Sequence, residues 1–141
     1  AGTRNLTIVS EGVQGAADIP QAAASLSAKV DCVNNFTDNN VVSNLQVLLE
    51  QANAAGIPVY GSEEEQVKNG CLASVSLDYV ALGRVTGEMA ALILGGEDAA
   101  KMAVRTITDA VPVINQEVLA AFGLTLPDAY KDATMVTTNA Q

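Results

Sequence analysis

The order of apolar runs and turn residues predicts an α/β unit: a mostly parallel sheet with helices on both faces. Three observations carry this. Short β-branched runs alternate with helical patterns at intervals of ~20–30 residues, the spacing of right-handed βαβ units. Hydrophobic residues make up 49% of the 141 residues and charged ones 16%, enough for one real core and too apolar for a disordered chain. Aromatics amount to only 4%, with no Trp, so the core is built from Ala, Val, Leu and Ile, which suits close packing of helices on a sheet.

Taken in order, Leu6-Thr7-Ile8-Val9 predicts a short strand that ends at the Glu11-Gly12 turn. Asp18 is a natural N-cap with Pro20 in the first turn, and Ile19, Ala23 and Leu26 recur at helical spacing up to Lys29. Residues 30–36 form the next strand. Asn39 or Asn40 caps the helix after it, whose residues Val41, Leu45, Leu48, Leu49 and Ala52 fall on one face. Gly56 suits a left-handed C-terminal cap, and Pro58 prevents continuation. A strand over 57–61 then leads to a short helix over 63–69, opened by Glu63, Glu64 and Glu65, whose charges suit the helix dipole. Residues 71–77 predict a fourth strand and 79–94 a long helix. That helix has a greasy face of Leu82, Val85, Met89, Leu92 and Ile93, beside a small-residue strip of Gly83, Gly87, Ala90 and Ala91. Residues 103–108 read as another strand, 112–115 as a short extended piece, and 116–122 as a helix stopped by Gly123. The polar tail from Pro127 predicts no element.

Several function classes are excluded by what the chain lacks. Seven Lys and Arg among sixteen acids, a net charge of −9, cannot form an extensive basic face, so no nucleic acid is expected as partner. No apolar run approaches the ~20 residues that cross a membrane, and the N-terminus has no basic stretch followed by an apolar core, so any export signal is expected to lie outside this chain. Cys32 and Cys71 both occupy apolar positions and predict buried free thiols. There is no His to act as general base or metal ligand. The glycines form neither Gly-x-Gly-x-x-Gly nor a phosphate-binding loop, and no Ser sits in Gly-x-Ser-x-Gly. The chain is therefore expected to be no enzyme, with no cofactor, no catalytic residue and no metal ligand.

What it does offer is polar equipment at two strand exits. Thr37, Asp38 and Asn39 supply a hydroxyl, a carboxylate and an amide next to the free N–H groups of a helix start; Ser62 and Glu63 follow the next strand. In a parallel sheet ligands bind at the carboxyl ends of the strands, and loops after consecutive strands share one rim. The carboxylates could hold an ammonium group, and Thr37 with helix-start N–H groups a carboxylate, each charged contact contributing ~1.5–3 kcal/mol. Thr37-Asp38-Asn39 reads equally well as a turn and an N-cap. Asp38 with Glu63 as an acid–base or divalent-ion pair is a weaker reading, since the two acids lie in separate loops.

The stretches Val30-Asp31-Cys32-Val33 and Phe36-Thr37-Asp38-Asn39-Asn40-Val41-Val42 resemble the signature Val-Asp-Ala-Ile-x-x-x-Thr-Asp-Asn of ABC-transporter solute-binding proteins of the tryptophan/tyrosine-binding type. Ala54-Ala55-Gly56-Ile57-Pro58-Val59 and Gly61-Ser62-Glu63-Glu64-Glu65-Gln66-Val67-Lys68-Asn69-Gly70-Cys71 resemble the family's next block. The similarity continues through Leu77-Asp78-Tyr79, Leu82-Gly83-Arg84, Ile114-Asn115 and Phe122-Gly123-Leu124. The resemblance implies a type I periplasmic-binding fold, in which two α/β lobes close on a small molecule and deliver it to an ABC permease. It also implies an extracytoplasmic place, periplasmic or as a membrane-anchored lipoprotein, and an amino acid, aromatic ones included, as ligand. Thr37, Asp38 and Asn39 would contact that ligand with Ser62 and Glu63 beside them, and Asp78 and Tyr79 would lie near the crossover. The chain departs from the family at Cys32 in place of Ala, at Asn34-Asn35-Phe36, and at Glu63 where many relatives have Asp.

Family members run to roughly twice this length, as two lobes of ~100–150 residues should. The resemblance therefore implies that residues 1–141 are one unit, the C-terminal portion of such a protein, with about 79–110 as the crossover segment toward the other lobe. The apolar face of the 79–94 helix would then stay exposed unless covered, which predicts self-association or association with the remaining N-terminal part. The alternative is a flavodoxin-like regulatory domain that uses the same rim for a metal or phosphate, although Lys101 precedes a predicted strand where a receiver's Lys would follow one.

Overall fold

Turn glycines and the periodicity of apolar residues set most element boundaries. The computed structural model describes residues 4–108 and 110–139. Its strands β1 (Val33–Asn34), β2 (Val59–Tyr60), β3 (Ala73–Leu77), β4 (Ala110–Asn115) and β5 (Thr134–Val136) form one sheet in that order. β1, β2 and β3 are parallel, β4 runs antiparallel to β3, and β5 is parallel to β4. The helices are α1 (Ile19–Ser27), α2 (Asn39–Ser43), α3 (Leu45–Ala54), α4 (Glu64–Lys68), α5 (Tyr79–Leu94) and α6 (Gln116–Ala121). The fold is thus α/β with a mostly parallel sheet.

The core gathers Ala23 of α1, Leu45, Leu48, Leu49 and Ala52 of α3, Val33 and Val59 from paired positions of β1 and β2, and Val67, Cys71 and Val113. The α3 residues are the face that the sequence spacing predicts. Gly56 ends α3 with φ +71°, and Gly70 ends α4 with φ +118°, where a Cβ would also meet Leu49 Cδ1 at 3.1 Å.

Several expectations are corrected. Leu6–Val9 is no strand: Leu6 and Ile8 stay 64% and 75% exposed, because an extended segment needs a neighbour for its N–H and C=O groups. Residues 103–108 are likewise outside the sheet. The helix after Thr37 breaks in two at Asn44 (φ −119°, ψ 22°), where the Asn44 amide nitrogen donates to the Asn40 carbonyl. Its cap is Asp38, not Asn39 or Asn40. The tail, expected to be featureless, supplies β5. At α1, Asp18 holds the predicted N-cap position, but its carboxylate accepts from Gln14 N at 2.9 Å instead of capping the helix.

α5 matches the bounds the sequence predicts and contains no buried residue. Arg105 ties it to the 103–108 segment through Glu88 at 3.2 Å. The sheet face bearing Tyr60, Val75, Leu77 and Met135 is also open to solvent. No described helix is long and apolar enough to cross a membrane.

Asn115 closes the structure at the end of β4. It is fully buried; its amide nitrogen donates to Val67 O at 2.9 Å and Thr138 Oγ1 at 3.0 Å, while its oxygen accepts from Glu117 N and Val118 N and so caps α6. Asn115→Ala removes a cap and leaves the Val67 carbonyl without this donor. Urea unfolding should show a loss of about 2–4 kcal/mol; a loss below about 0.5 kcal/mol, the level of an ordinary surface change, contradicts this role.

Candidate functional site

Because β1, β2 and β3 are adjacent and parallel, their carboxyl ends lie side by side, and each is followed by a helix with an acid at its N-cap. Asp38 precedes α2, Glu63 precedes α4 and Asp78 precedes α5. Asp38 Oδ1 accepts from Asn40 N at 2.9 Å and Val41 N at 3.2 Å. Asp78 Oδ1 accepts from Val80 N and Ala81 N, both at 2.9 Å. Glu63 is extended (φ −149°, ψ 165°) and its side chain makes no capping bond. The reading of Thr37-Asp38-Asn39 as a turn and an N-cap thus holds, with Asp38 as the capping residue, and both capping bonds fall on Oδ1, leaving Oδ2 outside them.

The two loops singled out by the sequence meet directly: Thr37 Oγ1 and Ser62 Oγ are 2.7 Å apart. Thr37, Asp38, Asn39, Asp78 and Tyr79 are exposed, and Ser62 and Glu63 half-buried. Thr37 and Ser62 are the pair brought into contact; the others stand along the same rim on their own elements. Among the described residues no group of three or more His, Cys, Asp or Glu is placed to hold a metal ion.

Beneath the rim lie residues that sequence reasoning passed over. Gln66 is 1% exposed, and its Oε1 accepts from Ser62 N at 2.9 Å and from Asn35 Nδ2 at 3.3 Å. Asn35 N in turn donates to Tyr60 O at 2.9 Å. Gly61 makes room for this arrangement: a Cβ there would come within 3.0 Å of Gln66 Cβ and Oε1. Gln66 Nε2 is buried without a partner among the described residues, which costs about 1–3 kcal/mol. In the sequence Gln66 follows three glutamates and reads as surface; the glycine five residues earlier is the one available signal.

The cysteines divide. Cys71 is buried as expected, and burial pushes its thiol up to about 12. Cys32 is exposed, contrary to expectation: it neighbours Val33, which faces the core, so strand alternation turns Cys32 outward. A cleft of about 740 Å³ lies at the opposite end of the strands, between α3, Gly70 and α6, and includes no residue of the rim.

A family model described as ABC transporter substrate binding protein matches residues 1–136. The chain belongs to this family. The Tyrosine-binding protein of Clostridioides difficile (strain R20291) is 33% identical over 120 residues, 85% of this chain and 35% of that protein. The structure of an ABC domain in complex with L-Trp from Streptococcus pneumoniae superposes with a TM-score of 0.87 at 28% identity, covering 96% of this chain and 46% of the other. The ligand-free, open structure of a substrate binding protein with adhesive properties from Clostridium difficile gives 0.74 at 32% identity, covering 98% and 47%. The chain thus spans about a third of the curated relative and about half of each solved chain, and shares their fold.

The thiols offer a direct check on burial. A maleimide or disulfide reagent at pH 8 should label Cys32 alone in the native protein and both cysteines in urea. Rapid native labelling of Cys71 contradicts its burial. The folded Cys71 thiol keeps its proton from about pH 9 to about 12 while the unfolded one releases it, so this group lowers stability as pH rises through that window.

Proposed function

We propose that this chain is one lobe of a two-lobed solute-binding component of an ABC importer, and that its rim takes an amino acid. The observation that carries the reading is the Thr37–Ser62 contact at 2.7 Å, which joins the loops after two neighbouring parallel strands, where α/β folds bind ligands. Asp38, Asn39 and Glu63 flank it. A carboxylate oxygen left over from capping can accept from a ligand ammonium, and the paired hydroxyls can turn toward a ligand carboxylate. Phe36 and Tyr79, both exposed, add aromatic faces near the same rim and favour an aromatic side chain. The names of the relatives, one tyrosine-binding and one holding L-Trp, point the same way.

In this reading the protein has no turnover and works outside the cytoplasm, handing its ligand to a permease. Residues 79–110 form the crossover toward a second lobe; Asp109 lies outside the described residues. α5, with Val80, Leu82, Leu92, Ile93 and Leu94 all exposed, supports this, because a helix of that composition needs a neighbour. The flavodoxin-like alternative has no observation in its favour.

L-Tryptophan or L-tyrosine should raise the melting temperature of the longer protein that carries this chain, whereas divalent metal or phosphate should not. Asp38→Asn, which retains a good capping side chain but removes the charge, should weaken amino-acid binding about tenfold with little loss of stability. Unchanged affinity in both Asp38→Asn and Glu63→Gln sinks the assignment of these acids. The 141-residue chain alone should self-associate through its exposed apolar faces; a clean monomer that binds amino acid with full affinity, by light scattering and calorimetry, contradicts the two-lobe reading.

A further inference from the structure

We infer that Gln66 is the positioning residue of the rim: its side-chain oxygen fixes the Ser62 backbone and, through the Ser62 hydroxyl, the place of Thr37. The inference rests on the amino-acid reading of the rim for its functional consequence, and on geometry alone for the positioning. Oε1 is the meeting point of two loops, since Asn35 follows β1 and Ser62 follows β2. Ser62 N is held at 2.9 Å, and Ser62 Oγ then meets Thr37 Oγ1 at 2.7 Å. The route runs from Gln66 to Ser62 to Thr37 with no exposed partner at its inner end.

Packing alone does not account for a glutamine here. Nε2 is buried without an acceptor among the described residues, a cost that an aliphatic side chain of similar size avoids. What the amide offers over such a side chain is its oxygen, and both described contacts within 3.3 Å use it. Gly61 fits the same account, because any side chain there presses on Gln66 Cβ and Oε1. Gln66 touches no ligand in this arrangement, being 1% exposed, and acts through Ser62 and Thr37.

The test uses the longer protein that carries this chain, as the parent, Gln66→Met, Ser62→Ala and the double variant. Amide exchange at Ser62 is read by NMR, and binding of L-tryptophan and L-tyrosine by calorimetry. Gln66→Met keeps the length of the side chain and removes the oxygen, so the Ser62 amide should exchange about tenfold faster or more. Each single variant should weaken binding about tenfold, and the double variant little more than either, because both cut the same route. Unchanged Ser62 exchange in Gln66→Met, or losses that multiply in the double variant, overturns the inference. A parent protein that binds neither amino acid refutes the amino-acid reading instead, and Ser62 exchange then decides the positioning role alone. If Gln66→Met does not fold, the parent decides: a Ser62 amide protected like that of Gly61 upholds the role, and exchange at solvent speed overturns it.

Discussion

The rest of the structure depends on the burial of Val33 and Val59 beneath α3. β1 and β2 are two residues each, too short for ladder bonds at ~0.5–1.5 kcal/mol apiece to fix their register. Full burial of a Val or Leu side chain contributes ~1.5–3 kcal/mol, and here Val33 and Val59 are paired neighbours under Leu45, Leu48, Leu49 and Ala52. Packing therefore decides the alignment of these strands, and the hydrogen bonds follow it. A slip of one residue would put Asn34 and Tyr60 into the core and both valines into water.

That alignment determines where the polar loops begin. Because Asn34 pairs with Tyr60, Asn35 and Gly61 leave the paired segment at the same level, and the Thr37 and Ser62 hydroxyls arrive within 2.7 Å of each other. Two of the acids at the following helix starts are engaged through one oxygen only. Asp38 and Asp78 each accept through Oδ1 from two backbone N–H groups that have no helical partner, which stabilises α2 and α5 and leaves the second oxygen out of the capping bonds. A structural role and a ligand role are compatible at these positions because a carboxylate has more acceptor sites than a cap consumes.

The parts of this arrangement that could be read from the sequence are those set by local periodicity. The α3 face, the glycine stop at Gly56, the bounds of α5 and the meeting of the Thr37 and Ser62 loops all follow from apolar spacing, turn chemistry and the parallel-sheet rule. Features that depend on distant neighbours were not legible. Leu6–Val9 has the composition of a strand, but composition cannot supply the adjacent strand that pairing requires. β5 exists because Asn115, Glu117 and Lys68 hold the tail through Thr138 and Asn139, contacts more than twenty residues apart in sequence. Gln66 sits in an acidic, surface-like helix, and only the fold shows that its face turns inward.

α5 separates the two kinds of stability in this chain. It keeps helical form over 16 residues through its Asp78 cap and backbone bonds, yet buries no side chain. Isolated helices shorter than about 12–15 residues are marginal in water, and α5 at 16 residues stands just past that limit, so local propensity alone gives it little resistance to fraying. Its apolar residues are distributed widely around the helix, with Val80 and Leu94 at opposite ends more than three-quarters exposed. A solvated surface helix has no use for such a distribution, whereas a helix enclosed between bodies does. The same logic applies to the open sheet face of Val75 and Leu77, which lies immediately before the Asp78 cap. Surface that remains apolar on two adjoining elements is the physical ground on which the two-lobe proposal stands.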